Sequence, residues 1–212
     1  NPQGASTQGL TLVAGTGNID VTGPVGNLLR LGDLTVSSAN NATFTGGVTA
    51  ESFSQTAGSG TTTFTAGQDY ARFFNFTGTN LVQNGPCTVG ETYDFTGAAL
   101  TVNNALTVTG ATTITNSGLF TKGATGAINA TGGFTQNGTG ANSIGANIST
   151  ANANLFFATG ITLTQNVQFS TGGGAGDITL SSTVNPQAAS TQGLTLLAGT
   201  GSINVTGPVG NL

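Results

Sequence analysis

The reading of this chain turns on the stretch "STQGLTLLAGTGSINVTGPVGNL" at 190–212, because residues 6–28 read "STQGLTLVAGTGNIDVTGPVGNL". Carrying the comparison upstream sets 1–28 against 185–212 at a constant offset of 184, with 24 of 28 positions identical. The four differences are Gly4/Ala188, Val13/Leu197, Asn18/Ser202 and Asp20/Asn204. Identity this dense is a repeat, so residues 1–184 read as one long unit and 185–212 as the opening of the next. The differences between the copies favour diverged repeats in one longer chain over end-to-end polymerisation of identical subunits. Repetition at both ends predicts that neither end is capped.

A shorter period lies inside the long one. Apolar residues alternate with Thr, Ser or Asn in "GDLTVSS" (32–38), "ATFTGG" (42–47), "TTTFTAG" (61–67), "ALTVTG" (105–110), "GITLTQ" (160–165) and "GDITLSS" (176–182), each closed by Gly, Asn or a small residue. Such alternation marks short strands with one apolar face. Phe44 and Phe64, 20 apart, would point inward, with Thr43, Thr45, Thr63 and Thr65 outward. Carried forward by 184, position 32 becomes 216, two periods of 20 beyond the matching 176. The long unit is then about nine coils of about 20 residues, the period of a solenoid. No stretch shows helical spacing free of Gly. The expected fold is all-β: a β-solenoid of stacked coils, with small residues and left-handed Asn at its corners.

Composition narrows the function. The 212 residues include 35 Gly, 40 Thr and 21 Asn, but only three Lys or Arg and seven Asp or Glu. Apolar residues recur throughout, unlike in a disordered chain. The basic residues Arg30, Arg72 and Lys122 are too few for a nucleic-acid surface. No apolar run approaches the roughly 20 residues of a membrane span. The opening "NPQGASTQG" has no signal-peptide pattern, as expected of a window within a longer protein. With no His, a Ser–His pair and Cys/His zinc ligation are excluded. No metal, cofactor or catalytic residue is expected. "STGGGAGD" (170–177) lacks the Lys of a phosphate loop and reads as a coil corner.

Composition changes at one place, "QDYARFFNFTGTNLVQNGPCTVGETYDF" (68–95). It holds Asp69, Tyr70, Arg72, Cys87, Glu91, Tyr93 and Asp94, and reads as an insertion loop available for contact or ligand binding. Asp69 precedes Glu91 and Asp94 by 22 and 25 residues, so these carboxylates could stack on adjacent coils. A suitably separated carboxylate pair could hydrolyse a polysaccharide, the lesser enzyme alternative. Cys87, in the turn-like "NGPCTVG", could join two chains or fill a small half-buried site. Thr-x-Thr triplets beginning at 43, 61, 63, 107, 113 and 162 raise an ice-binding alternative, but their spacing gives no ladder.

"GDITLSSTVNPQAASTQGLTLLAGTGSINVTGPVGNL" and "LGDLTVSSANNATFTGGVTAESFSQTAGSGTTTFTAG" resemble repeats of giant bacterial surface proteins of the filamentous haemagglutinin type. The resemblance covers roughly 1–67 and 160–212, and 96–159 only in composition and strand rhythm. It implies a right-handed parallel β-helix, export to the cell surface, and a role as an adhesin shaft or filament. The expected partners are neighbouring repeats end to end, shafts side by side, and surface glycans. The main alternative is an adhesin module that binds glycans or host surfaces through Thr/Asn faces or the 68–95 segment.

Overall fold

Strands with alternating faces can bury their apolar side only against one another, and corners of Gly, Asn and Ala end each strand after a few residues. The computed structural model describes residues 3–189 and 191–210. In it these strands wind into a parallel β-solenoid of about nine turns, with 26 strands and no helix among the described residues.

Each turn lays down three strands, and each strand pairs in parallel with its counterpart one turn on. The first face carries Ile19–Val21, Ala42–Phe44, Thr61–Phe64, Asn80–Gln83, Ala99–Val102, Phe120–Lys122, Asn142–Ile144, Ile161–Leu163 and Val184–Pro186. The second runs from the start of Val48–Gln55 through Gln68–Tyr70, Cys87–Val89, Leu106–Val108, Ile128–Ala130, Ile148–Ser149 and Val167–Ser170 to Leu194–Leu197. The third begins at Leu10–Val13, passes through Leu31–Ser38 and the end of Val48–Gln55, and finishes at Ile178–Leu180 and Ile203–Val205. The step from one turn to the next varies. On the first face it is 19 residues from Leu81 to Leu100 but 23 from Ile161 to Val184. The extra residues sit in corners, as in the expected corner at 170–177, where Thr171 Oγ1 donates to Gly176 O at 2.6 Å.

The interior is a set of stacked columns. Phe44 lies on Phe64 with centroids 4.9 Å apart and rings 10° from parallel, as the alternation predicts. Phe53, Phe74 and Tyr93 continue one column at 4.8 and 4.7 Å, and Phe76 stacks on Phe95 at 5.3 Å. These spacings are those of neighbouring strands, so each aromatic covers the next. Polar side chains interrupt the columns. Gln136 Nε2 donates to Asn116 Oδ1 and Gly138 O at 2.8 and 3.1 Å, while its Oε1 accepts from the Ala158 and Thr159 N–H groups. One buried amide thus satisfies corner backbone on two turns.

The corners differ in mechanism from expectation. Among described Asn residues only Asn152 has a left-handed backbone, at φ 61°. Most corner amides instead tie one turn to the next. Asn18 Oδ1 accepts from Asn41 N–H at 3.1 Å and Asn41 Oδ1 from Thr61 N–H at 2.9 Å; Asn154 and Asp177 do the same for Asp177 and Ser202. Many glycines serve close approach: a Cβ on Gly140 would collide with the Gly118 carbonyl oxygen.

Candidate interaction surface

The segment 68–95 is not an insertion loop. It forms regular turns, with strands Gln68–Tyr70, Phe74–Thr77, Asn80–Gln83, Cys87–Val89 and the start of Tyr93–Gly97. Strand parity decides where its side chains go. Gln68 and Tyr70 flank Asp69, so Tyr70 points inward and is 1% exposed, packed against Phe53 and Phe74. Tyr93 is fully buried, stacked on Phe74, and its hydroxyl donates to Gln83 Oε1 at 2.7 Å. Cys87 opens a strand, pairs with Gln68 and Leu106, and is 2% exposed. Burial pushes the Cys87 thiol and the Tyr70 and Tyr93 hydroxyls up, away from ionisation. These three side chains face the core, which removes them from any contact surface and removes Cys87 as a link between chains.

The charged residues of the segment are separated. Asp69 faces outward on the second face between Thr49 and Thr88. Asp94 faces outward on the third, between Asn75 and Thr113. Glu91 sits at the corner between these faces, 3.5 Å from Arg72, whose guanidinium lies 5.5 Å from the Phe73 ring centroid. The expected stack of Asp69, Glu91 and Asp94 therefore does not form: Asp69 has Thr88 as its neighbour one turn on. Its partner is Arg30, two turns back. Arg30 Nη1 donates to Ala50 O and Asp69 O at 2.7 and 3.1 Å, Nη2 reaches Asp69 Oδ2 at 2.5 Å, and Nε lies 4.0 Å from Glu51.

Lys122 completes the basic set, and it points inward. It is 1% exposed, and its ammonium donates to the carbonyls of Val102, Gly123 and Thr125 at 3.2, 2.9 and 2.9 Å. Burial lowers its pKa to about 8. It closes a corner. All three basic side chains are thus engaged within the shaft. Among the described residues no group of three or more His, Cys, Asp or Glu gathers at one place.

What the shaft offers outward is mainly hydroxyl and amide. On the first face Thr43, Thr63, Val82, Thr101, Thr121, Ser143 and Thr162 form one column over seven consecutive turns, with no charge in it. Thr45 and Thr65 stand beside Thr43 and Thr63, so these two Thr-x-Thr triplets stack; Thr107 and Thr113 lie on the second and third faces. The column was hidden in the triplet spacing because single Thr residues in "LTV" (100–102) and "FTK" (120–122) complete it. At the corner between the third and first faces an open groove of about 500 Å³ is lined by Gly78, Gly97 and Gly138 together with Thr77, Thr96 and Thr115.

These features define a β-solenoid repeat protein with a nearly uncharged surface. No family model, no curated protein and no solved structure matches the chain.

Proposed function

We propose that this chain is a shaft segment of a large extracellular bacterial surface protein of the filamentous haemagglutinin type, a structural element that projects or assembles and so serves adhesion. The observation that supports this reading is the join between repeats. The second copy of the repeated segment continues the ladders below it: Leu194–Leu197 on Val167–Ser170, Ile203–Val205 on Ile178–Leu180, and Val209 on Val184. A unit that joins its successor without a break in main-chain pairing is suited to building length. Axial hydrogen bonds and stacked interior columns supply the stiffness, and so few charges leave little repulsion between neighbouring shafts. The test is immunogold electron microscopy of producing cells, with antibody raised against residues 1–184. Label along continuous surface fibres supports the shaft; label confined to the cell interior refutes it.

A second reading, contact with a neutral glycan or another hydroxyl-rich surface, is favoured by the uncharged Thr column of the first face. It predicts that Thr101→Arg with Thr121→Arg abolishes adhesion while the rod stays folded. A passive shaft would adhere unchanged.

A further inference from the structure

The two copies of the 28-residue segment fold alike but dock differently. Gly15 and Gly199 hold φ of 61° and 57°, and Gly26 and Gly210 hold 71° and 69°. The Gly17 and Gly201 N–H groups donate to the carbonyls of Ala14 and Ala198 at 2.9 and 2.8 Å. Yet Leu10 pairs with Leu34 on the third face, while its counterpart Leu194 pairs with Val167 on the second. Ile19 pairs with Ala42 on the first face, and its counterpart Ile203 with Ile178 on the third. Val25 bridges to Val48 on the second, and its counterpart Val209 to Val184 on the first. All three comparisons give the same displacement of one face.

Counting turns explains it. On the third face eight pairings lead from Leu10 to Ile178, and Leu194 lies two faces further along the chain. The 184-residue unit therefore advances eight and two-thirds turns, which makes the expected figure of about nine coils more exact. Every face uses the same short strand with its middle residue outward, so one sequence fits any of them.

We propose, resting on the reading of the chain as part of a repeat array, that each repeat is turned by one face relative to the one before. A given surface feature then returns to the same side of the shaft only at every third copy. At a rise of about 4.8 Å per turn, one unit spans about 42 Å and the full pattern about 125 Å, or 26 turns. The Arg30–Asp69 pair and the Thr column of the first face would each wind around the shaft. Such a shaft presents equivalent contacts on all sides, which suits a round bundle of second copies of itself and not a flat sheet.

The test uses paired cysteines in this chain. Outward residues on adjacent parallel strands lie about 4.8 Å apart, within the span a disulfide bridges. Gln168→Cys with Thr195→Cys joins neighbours on the second face. Thr179→Cys with Thr195→Cys would join neighbours only if the second copy kept the face of the first. Thr11→Cys with Thr35→Cys checks the first copy on the third face. Mild oxidation, read by peptide mapping, is expected to link 168–195 and 11–35 nearly completely and to leave 179–195 unlinked. Linkage of 179–195, or failure of either expected bond, overturns the rotation. These results do not depend on where the protein resides, so a failed shaft reading would show separately as misplaced immunogold label.

Discussion

Arg30 holds Asp69 from two turns away, with Nη2 2.5 Å from Oδ2 and Nη1 donating to the carbonyls of Ala50 and Asp69. The contact clamps three consecutive turns. Both side chains remain partly exposed, so the ion pair itself is worth little; the carbonyl contacts add to it. Arg30→Ala is expected to destabilise the fold by about 1 kcal/mol, and Asp69→Asn by less, because Arg30 keeps its carbonyls. Urea denaturation of the two variants checks this; equal losses would contradict it.

Gln136 carries more. Its replacement by Leu leaves Asn116 Oδ1 and the Thr159 N–H short of a partner inside the shaft, while the Ala158 N–H keeps the main-chain carbonyl of residue 136. A loss of roughly 2–4 kcal/mol is expected, read as a fall in the urea midpoint. A change within 0.5 kcal/mol, on the order of an ordinary surface substitution, would show that the corner repairs itself.

Glycine substitutions should divide by their neighbours. A Cβ on Gly140 meets the Gly118 carbonyl, whereas one on Gly173 has nothing within 4 Å. Gly140→Ala is expected to cost several kcal/mol, roughly what overpacking and backbone displacement cost together. Gly173→Ala should be neutral or slightly stabilising through the unfolded chain. Paired thermal melts separate the two.

These differences show how far the sequence could be read. The alternation around Phe44 and Phe64 and the match of "GDLTVSS" with "GDITLSS" carry the fold, since Leu34 and Ile178 do share the third face. The surface of 68–95 was harder to read, because polar and charged residue types suggest exposure while strand parity turns Tyr70 and Tyr93 inward. Spacing misled as well. Asp69 and Glu91 are 22 apart, but this turn takes 19 residues, and the surplus of three carries Glu91 round the corner. Lys122 and Gln136 have the parity of core residues, yet an inward cation or amide has no signature in composition. The Arg30–Asp69 pair spans two turns and is invisible until the corner lengths are known.

Alkaline pH should act in two opposing steps. The folded pKa of Lys122 is lowered to about 8 from 10.5, so between these values the unfolded chain holds a proton that the fold does not. Stability then rises with pH over that window. Cys87, Tyr70 and Tyr93 are shifted up from 9.0, 10.0 and 10.0, so above those values they ionise only on unfolding and stability falls. Melting temperature is expected to rise between about pH 8 and 9 and to drop beyond about pH 10. Lys122→Met should abolish the rise and leave the drop; a rise that survives this change would assign it to another group.

The most direct test of the shaft is length. In a tandem chain with residues 1–184 placed ahead of 1–212, small-angle scattering should show the rod longer by about 42 Å with its cross-section unchanged, given a rise of about 4.8 Å per turn. A thicker particle, or two separate bodies joined by a flexible link, would contradict a continuous solenoid running through the repeats.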